Sequence, residues 1–352
     1  MSKAFEKIRN TDLEQLRARW RKLATCIDMH TGGEPLRVVI DGTPPLTGTT
    51  ILAKRRQMIE QFDSFRKLLM WEPRGHADMY GCLLLPPERP DSDFGVLFMH
   101  NEGYSTMCGH ATLAIAKLAV LMQWVDLEEP VTTIRIDAPC GQLTAYCEAK
   151  NGQPGQVCFD NVPSFVQALD QEVILPDGRR VHYDLAFGGA FYAYVDARQL
   201  GLSLQTANYQ EIIRLGREIK QAVAASRSMA HPFEADLNFL YGTIFIEPSE
   251  KAGIHSRNVC VFADGEVDRS ATGSGVSGRA AIHFARGEIK SGERIAIESI
   301  TGSVMEVEVR SETDFGPFRA VIPRVYGDAW VSGFSDFVLD EKDIFQEGFF
   351  LR

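Results

Sequence analysis

Three features of this sequence occur twice, in the same order and roughly 160 residues apart. Chance recurrence of strand–turn–helix units could explain any single pair, but the shared order and spacing of all three favour an internal duplication. The chain is therefore predicted to contain two copies of one α/β unit. The paired segments are Asp28–Gly33 with Asp184–Gly189, each before a strand; Gly95–Met99 with Asn258–Phe262, each before a polar turn and an apolar helix; and Thr133–Asp137 with Arg294–Glu298, each before a glycine turn.

The predicted strands favour antiparallel sheets. Thr133–Asp137 and Val304–Arg310 alternate apolar and polar residues, as strands do when one face of the sheet is exposed to water. The helices after Cys108 and Thr272 are rich in small residues and apolar on most sides, which is typical of buried helices. The sequence thus predicts an α/β (α+β) fold of two pseudo-symmetric domains, each with a curled, mostly antiparallel sheet around a central helix.

The length of 352 residues fits about two domains. We expect the first at residues 25–162, joined by a returning C-terminal segment at about 336–352, and the second at 163–335. Residues 1–24 are predicted to form an amphipathic helix that packs on the body of the protein. Its cap would be Thr11 or Asp12, and its apolar stripe would be Leu13, Leu16, Trp20 and Leu23.

Composition excludes several classes of protein. Hydrophobic residues make up 45% of the chain, too many for a disordered protein, and the net charge of −10 argues against nucleic acid or a membrane surface as partner. The N-terminal segment lacks the apolar core of a signal peptide, and the most apolar helical run is too short to span a bilayer. Seven thinly spread cysteines suggest reduced thiols and a cytoplasmic location. A homodimer is one option that the sequence leaves open.

Cys108 stands at the start of an apolar helix, directly before Gly109 and His110. Free N–H groups and the helix dipole favour negative charge there, so we expect the pKa of this thiol to lie below its ordinary value of ~8.5. A thiolate is a competent base near neutral pH, although an inert buried thiol is the commoner fate of a cysteine. The other six cysteines are interpreted as packing or neutral residues: Cys26, Cys82, Cys140, Cys147, Cys158 and Cys260.

A second glycine-rich helix start lies at Asp268–Gly275. Gly273, Gly275 and Gly278 match the pattern G-x-G-x-x-G, but a dinucleotide site requires that motif directly at the end of a strand, and here the strand ends near Phe262. What remains is an anion site of exposed N–H groups. If the duplication holds, both helix starts face one cleft and can hold a small carboxylate between them.

Motifs for metals and nucleotides are missing from the sequence. It contains no C-x-x-C, H-E-x-x-H, G-x-S-x-G or G-x-x-x-x-G-K-[ST]. His30, and His76 with Asp78, offer ligand atoms, but isolated histidines are more often structural. We therefore expect neither a metal nor a cofactor.

Three motifs resemble those of the proline racemase family, and the resemblance extends from about Ile27 to the C terminus. It implies the diaminopimelate epimerase fold, with two pseudo-symmetric domains and the active site between them, in agreement with the duplication. The motifs are Asp28-Met-His-Thr-Gly-Gly-Glu-Pro35, Met107-Cys-Gly-His-Ala-Thr112 and Asp268-Arg-Ser-Ala-Thr-Gly-Ser-Gly275.

Racemases and epimerases of this family use two cysteines, one removing the α-proton and the other protonating the opposite face. Here the two positions hold Cys108 and Thr272, and a threonine hydroxyl has too high a pKa to serve as the second acid–base group. This combination, with the stretch 231–242, resembles the subgroup that dehydrates trans-3-hydroxy-L-proline. Loss of the C3 hydroxyl requires no second thiol.

The resemblance also implies roles for individual residues. Cys108 would be the base, and Thr272 marks the position of the second family cysteine. Backbone N–H groups would hold the substrate carboxylate, and two side chains would contact the ring nitrogen. The substrate-binding residues are, in that order, Gly109, Gly273 and Ser274, then His110 and Asp268.

Three other functions stay open. A proline racemase or hydroxyproline 2-epimerase of the same family would invert Cα. A non-catalytic protein that binds a cyclic amino acid would keep the glycine-rich helix starts but would not depend on Cys108. An isomerase of the same fold with a carboxylate base is disfavoured, since neither helix-start position is acidic.

Overall fold

The computed structural model describes residues 2–351, and both halves of the chain contain strands followed by one central helix. The first half contains α1 (Lys3–Arg9), α2 (Leu13–Arg17), β1 (Arg21–Thr31), β2 (Glu34–Asp41), α3 (Ile51–Gln61), α4 (Asp63–Met70), β3 (Tyr80–Leu85), β4 (Phe94–His100), α5 (Gly109–Leu121), β5 (Val131–Ala138), β6 (Gly141–Lys150) and β7 (Gln153–Asp160). The second half contains β8 (Ser164–Ile174), β9 (Arg180–Phe187), β10 (Phe191–Asp196), α6 (Tyr209–Ser226), β11 (Leu240–Pro248), β12 (Ser256–Phe262), β13 (Glu266–Val267), α7 (Gly273–Ala285), β14 (Arg294–Glu298), β15 (Val304–Phe315), β16 (Phe318–Gly327) and β17 (Trp330–Leu339). Short 3₁₀ helices lie at Ala197–Leu200, Thr206–Asn208 and Ala235–Leu237.

The pairing of the strands follows the same plan in both halves. β2 is parallel to β3, β3 antiparallel to β4, β4 parallel to β5, and β5–β6–β7 are antiparallel. In the second half, β10 is parallel to β11, β11 antiparallel to β12, β12 parallel to β14, and β14–β15–β16 are antiparallel. The predicted duplication and the mostly antiparallel character of the sheets are thereby confirmed.

The helices α5 and α7 are the buried centres of the two halves. Most of their residues lack solvent exposure, including the polar Thr112 and Ser277. Each of these hydroxyls bonds the carbonyl four residues earlier, Thr112 that of Cys108 and Ser277 that of Gly273. Both helices are thus buried among the surrounding strands, as their content of small and apolar residues predicted.

Strand pairing also joins the two halves. β16 pairs with both β7 and β8, and the last strand, β17, returns to pair with β1 along its whole length. The boundary expected near residue 336 lies inside β17, so the returning segment begins at Trp330. The division into two folding domains at residues 162 and 163 stays a prediction.

The predicted N-terminal amphipathic helix is wrong in its extent. Asp12 does cap a helix, with its carboxylate accepting from the N–H groups of Glu14 and Gln15, but that helix ends at Arg17 and β1 begins at Arg21. Trp20 lies between them, 37% exposed, with its indole N–H donating to Asp340. The register of β1 with β17 decides the local structure, because ladder hydrogen bonds with a distant strand outweigh weak helix propensity. Among the described residues, no helix is both long enough and apolar enough to cross a membrane.

Candidate active site

The first turns of α5 and α7 meet backbone to backbone between the two halves. A Cβ placed on Gly109 would lie 2.3 Å from the Cα of Gly273, and one on Gly273 would lie 2.6 Å from the Cα of Gly109. Only glycine allows so close an approach. Because the N–H groups of a first turn have no acceptor within the helix, two sets of free donors converge at this point.

We expect Gly109→Ala to lower the free energy of unfolding by about 1–3 kcal/mol, since the added methyl group must push two packed backbones apart. Chemical denaturation of the purified variant measures the change. Gly333→Ala is the matched control, because a Cβ there meets nothing within 4 Å. Equal stability of the two variants would contradict the close packing of the helix starts.

Cys108 lies directly before α5 and is buried. Its Sγ is 3.1 Å from Nδ1 of His110, which is buried beside it. The expected lowering of the thiol pKa is wrong for this closed site. Burial raises the pKa of Cys108 well above its ordinary value, and the N–H of Ala111 opposes that shift only in part. Burial also lowers the pKa of His110, so the pair is a neutral thiol beside a neutral imidazole.

Two carboxylates lie next to this pair. Ligand atoms of Glu34, His110 and Asp268 all lie within 4.8 Å of one another, and all three residues are buried. One oxygen of Glu34 accepts from the N–H of Arg269, while the other has no partner among the described residues. Burial and the charge of Asp268 raise the pKa of Glu34 well above its ordinary range. The cluster offers acceptor atoms to one cationic group, such as an ammonium.

Thr272 occupies the equivalent position before α7, with an unusual backbone. Its φ is +66°, a conformation that β-branched residues rarely adopt and that concentrates at functional sites. Its buried hydroxyl has no hydrogen-bond partner among the described residues. It lies close to Cys260, where burial raises the pKa of the thiol well above its ordinary value and Thr272 opposes that shift only in part. Ser274, in the first turn, bonds Tyr192 through its hydroxyl at 2.7 Å.

The interpretation of Cys260 as a packing residue is incomplete. It is fully buried on β12, but its side chain lines the cavity between the helix starts. Cys26, Cys82 and Cys147 are buried in strands as expected, whereas Cys158 is only partly buried. Apolar neighbours in the sequence cannot distinguish a strand face that points into the core from one that points into a site.

An aromatic wall, defined as Tyr80, Tyr241 and Phe262, closes one side of the cavity and was missed from the sequence. Tyr241 stacks on Phe262 with ring centroids 5.3 Å apart, and the ring of Tyr80 meets His110 edge-on at 4.8 Å. A signal for the wall does exist. The dipeptide Tyr-Gly occurs at 80, 241 and 326, and the spacing of 161 residues between the first two matches the internal duplication.

All seven residues singled out in the sequence line one cavity of about 20 Å³, together with the aromatic wall, Met107, Tyr192 and Cys260. That volume holds roughly one water molecule, so the cavity must widen to take a larger ligand. Larger surface cavities, such as the one of about 370 Å³ beside Arg279, contain none of the seven. The seven are Cys108, Gly109, His110, Asp268, Thr272, Gly273 and Ser274.

This chain is similar over most of its length to proteins of known name. The chain is 50% identical to a protein of Colwellia psychrerythraea named trans-3-hydroxy-L-proline dehydratase, over 93% of this chain and 92% of that one. It is 44% identical to a protein of Burkholderia multivorans named 3-hydroxyproline 2-epimerase, over 94% and 99%. A crystal structure of a hydroxyproline epimerase from Agrobacterium vitis with bound trans-4-OH-L-proline superposes with a TM-score of 0.89 at 27% identity, covering 95% and 96% of the two chains.

The fold is thus that of the hydroxyproline epimerases, with two pseudo-symmetric halves, as the sequence predicted. The sequence profile of proline racemase matches residues 26–350, which leaves only the N-terminal helices and the last residues outside it. The chain belongs to the proline racemase family.

Proposed function

We propose that this protein is a trans-3-hydroxy-L-proline dehydratase, a carbon–oxygen lyase that forms Δ1-pyrroline-2-carboxylate and water. The observation that carries the proposal is the asymmetry of the cavity. Cys108 stands at one helix start and Thr272 at the other, so one face of a bound substrate meets a thiol and the other a hydroxyl. A single thiol suffices for elimination, whereas inversion requires proton delivery to the opposite face.

In the proposed reaction the helix starts hold the substrate. The backbone N–H groups of Gly109, Gly273 and Ser274 bind the carboxylate and stabilise the negative charge that grows beside it when Cα loses its proton. Asp268 and His110 contact the ring nitrogen. Its positive charge offsets that of Asp268, which otherwise raises the pKa of Cys108. Substrate binding thereby favours the thiolate.

Cys108 then removes the Cα proton. Neutral His110, with Nδ1 at 3.1 Å from the sulfur, accepts the thiol proton beforehand. The electrons of the Cα–H bond form the C2=C3 double bond as the C3 hydroxyl leaves, and the enamine tautomerises to the cyclic imine. No cofactor enters this scheme.

Epimerisation of a hydroxyproline is the second candidate, and the Burkholderia multivorans relative is the reason to keep it. Thr272 argues against it, because no thiol stands at the second helix start. A binding protein without catalysis would conserve the cavity but give no product.

The test is incubation of the purified protein with trans-3-hydroxy-L-proline, trans-4-hydroxy-L-proline and L-proline, with identification of products by chiral chromatography and mass spectrometry. We expect Δ1-pyrroline-2-carboxylate from the first substrate alone and no inversion of L-proline. Inverted Cα without loss of water would establish the epimerase instead. Binding of these amino acids without any product would refute both enzymes.

We further propose that the enzyme is cytoplasmic, because all seven cysteines are free thiols. We propose a homodimer as its assembly. Cell fractionation and light scattering of the purified protein test the two points separately.

A further inference from the structure

The stereochemistry of the proposed substrate determines where its leaving group lies. In trans-3-hydroxy-L-proline the hydroxyl and the carboxylate occupy opposite faces of the ring. The Cα hydrogen is opposite the carboxylate, so it shares a face with the hydroxyl. A base that removes this hydrogen is therefore on the same side of the ring as the departing oxygen, and the acid that protonates that oxygen must be there too.

Two tyrosines that line the cavity together with Cys108, and a serine next to one of them, carry buried hydroxyl groups. Tyr80, Ser105 and Tyr241 are 2%, 0% and 7% exposed. The hydroxyl of Tyr80 is in hydrogen-bond contact with that of Ser105, and both interact with the hydroxyl of Tyr241. Tyr80 lines the same cavity as Cys108, and its ring meets edge-on, at 4.8 Å, the ring of His110, which is the hydrogen-bond partner of Cys108.

The other polar groups of the cavity are less suited to this task. Thr272 lies at the opposite helix start, so in the proposed binding mode it meets the side of the ring that carries no leaving group. The hydroxyl of Ser274 is bonded to Tyr192. His110 is engaged with Cys108 and, in the proposed function, with the ring nitrogen.

We propose that Tyr80 is a catalytic acid that protonates the departing C3 hydroxyl, and that Ser105 and Tyr241 orient its hydroxyl group. This inference rests on the proposed dehydratase function and adds to it the missing proton donor. Tyr80 fits the role because it lines the cavity beside Cys108 and His110 and contacts the hydroxyl of Ser105, from a position on strand β3 that is held by the surrounding core.

The proton balance closes within the site. Cys108 takes the Cα proton, the C3–O bond breaks, and the O–H proton of Tyr80 goes to the departing oxygen, which leaves as water. The tyrosinate then recovers a proton from the Cys108 thiol, which lines the same cavity. Burial raises the pKa of Tyr80 well above its ordinary value, so the group keeps its proton until the departing hydroxide, a stronger base, takes it.

The experiment compares native protein, Tyr80→Phe and Tyr183→Phe on two substrates, trans-3-hydroxy-L-proline and trans-3-fluoro-L-proline. Fluoride departs without needing a proton, and both substrates give the same cyclic imine. We expect Tyr80→Phe to lower kcat about 10²-fold on the hydroxy substrate and less than about threefold on the fluoro substrate. Tyr183, buried on β9 away from the cavity, provides the matched loss of a buried tyrosine hydroxyl and should change neither rate.

Equal losses on both substrates would overturn the assignment, because they would mean that Tyr80 supports Cys108 or the fold. No loss on either would also overturn it. cis-3-Hydroxy-L-proline gives an independent measurement with native protein alone. Its hydroxyl lies on the face away from Tyr80, so we expect no dehydration, and dehydration at a comparable rate would refute a donor on the Cys108 side. Failure of the proposed function would show differently, as absence of native turnover of trans-3-hydroxy-L-proline.

Discussion

Replacing Cys108 with serine should lower kcat/KM for formation of Δ1-pyrroline-2-carboxylate by about 10³–10⁴-fold. The serine hydroxyl fits the space of the thiol, so the cavity should keep its shape. Its pKa is too high for the hydroxyl to be deprotonated by neutral His110, 3.1 Å from the sulfur in the native site. Spectrophotometric detection of the cyclic imine, with circular dichroism to verify folding, gives the measurement.

Two further variants make this result specific. Cys158→Ser removes a partly buried thiol outside the cavity and should leave turnover unchanged. Cys260→Ser removes the other thiol that lines the cavity. If the Cys260 variant loses activity by the same factor while Cys108→Ser stays active, the base has been assigned to the wrong thiol.

Thr272→Cys should create inversion of L-proline where the native protein has none. The change places a thiol at the second helix start, opposite Cys108, and so supplies the acid that delivers a proton to the other face of Cα. Polarimetry or chiral chromatography of L-proline after long incubation detects even slow conversion. The assay needs a reducing agent, because the introduced thiol would lie beside Cys260.

Thr272→Ser is the control for this gain, since it retains a hydroxyl at the same position and should give no inversion. Persistent absence of inversion in Thr272→Cys, with the variant folded and reduced, would show that the two helix starts are not equivalent in their reach to Cα. Dehydration of trans-3-hydroxy-L-proline by the same variant reports whether the cavity remains intact.

Much of the fold could be predicted from the sequence because the same α/β unit occurs twice in the chain. The recurrence of three segments anticipated the matching order of parallel and antiparallel pairs in β2–β7 and β10–β16. The duplication also predicted that the helix starts at Cys108 and Thr272 face one cleft, and both residues line one cavity. Local pattern failed at residues 18–23, where a turn at 18–20 and the pairing of β1 with β17 from Arg21 onward replace the predicted helix.

The electrostatics of the site were less predictable. A helix start lowers the pKa of a thiol. The closed cavity removes water from Cys108, and this loss of hydration raises the pKa of its thiol. How far two halves close over a residue depends on contacts such as that between Gly109 and Gly273, which no local sequence pattern reveals. The aromatic wall was hidden for a related reason, since a tyrosine in an apolar strand looks the same whether it faces core or cavity.

The meeting of two equivalent helix starts has a consequence for the direction of chemistry. A site with a thiol on each side can remove the Cα proton from either enantiomer of the substrate, so it can only bring the two enantiomers to equilibrium. With Thr272 at one helix start, the two halves keep the same fold, but only one helix start carries a thiol. On the proposed function, one substituted position converts a reversible exchange of mirror images into a reaction that runs in one direction, since the water it releases and the imine it forms do not readily recombine.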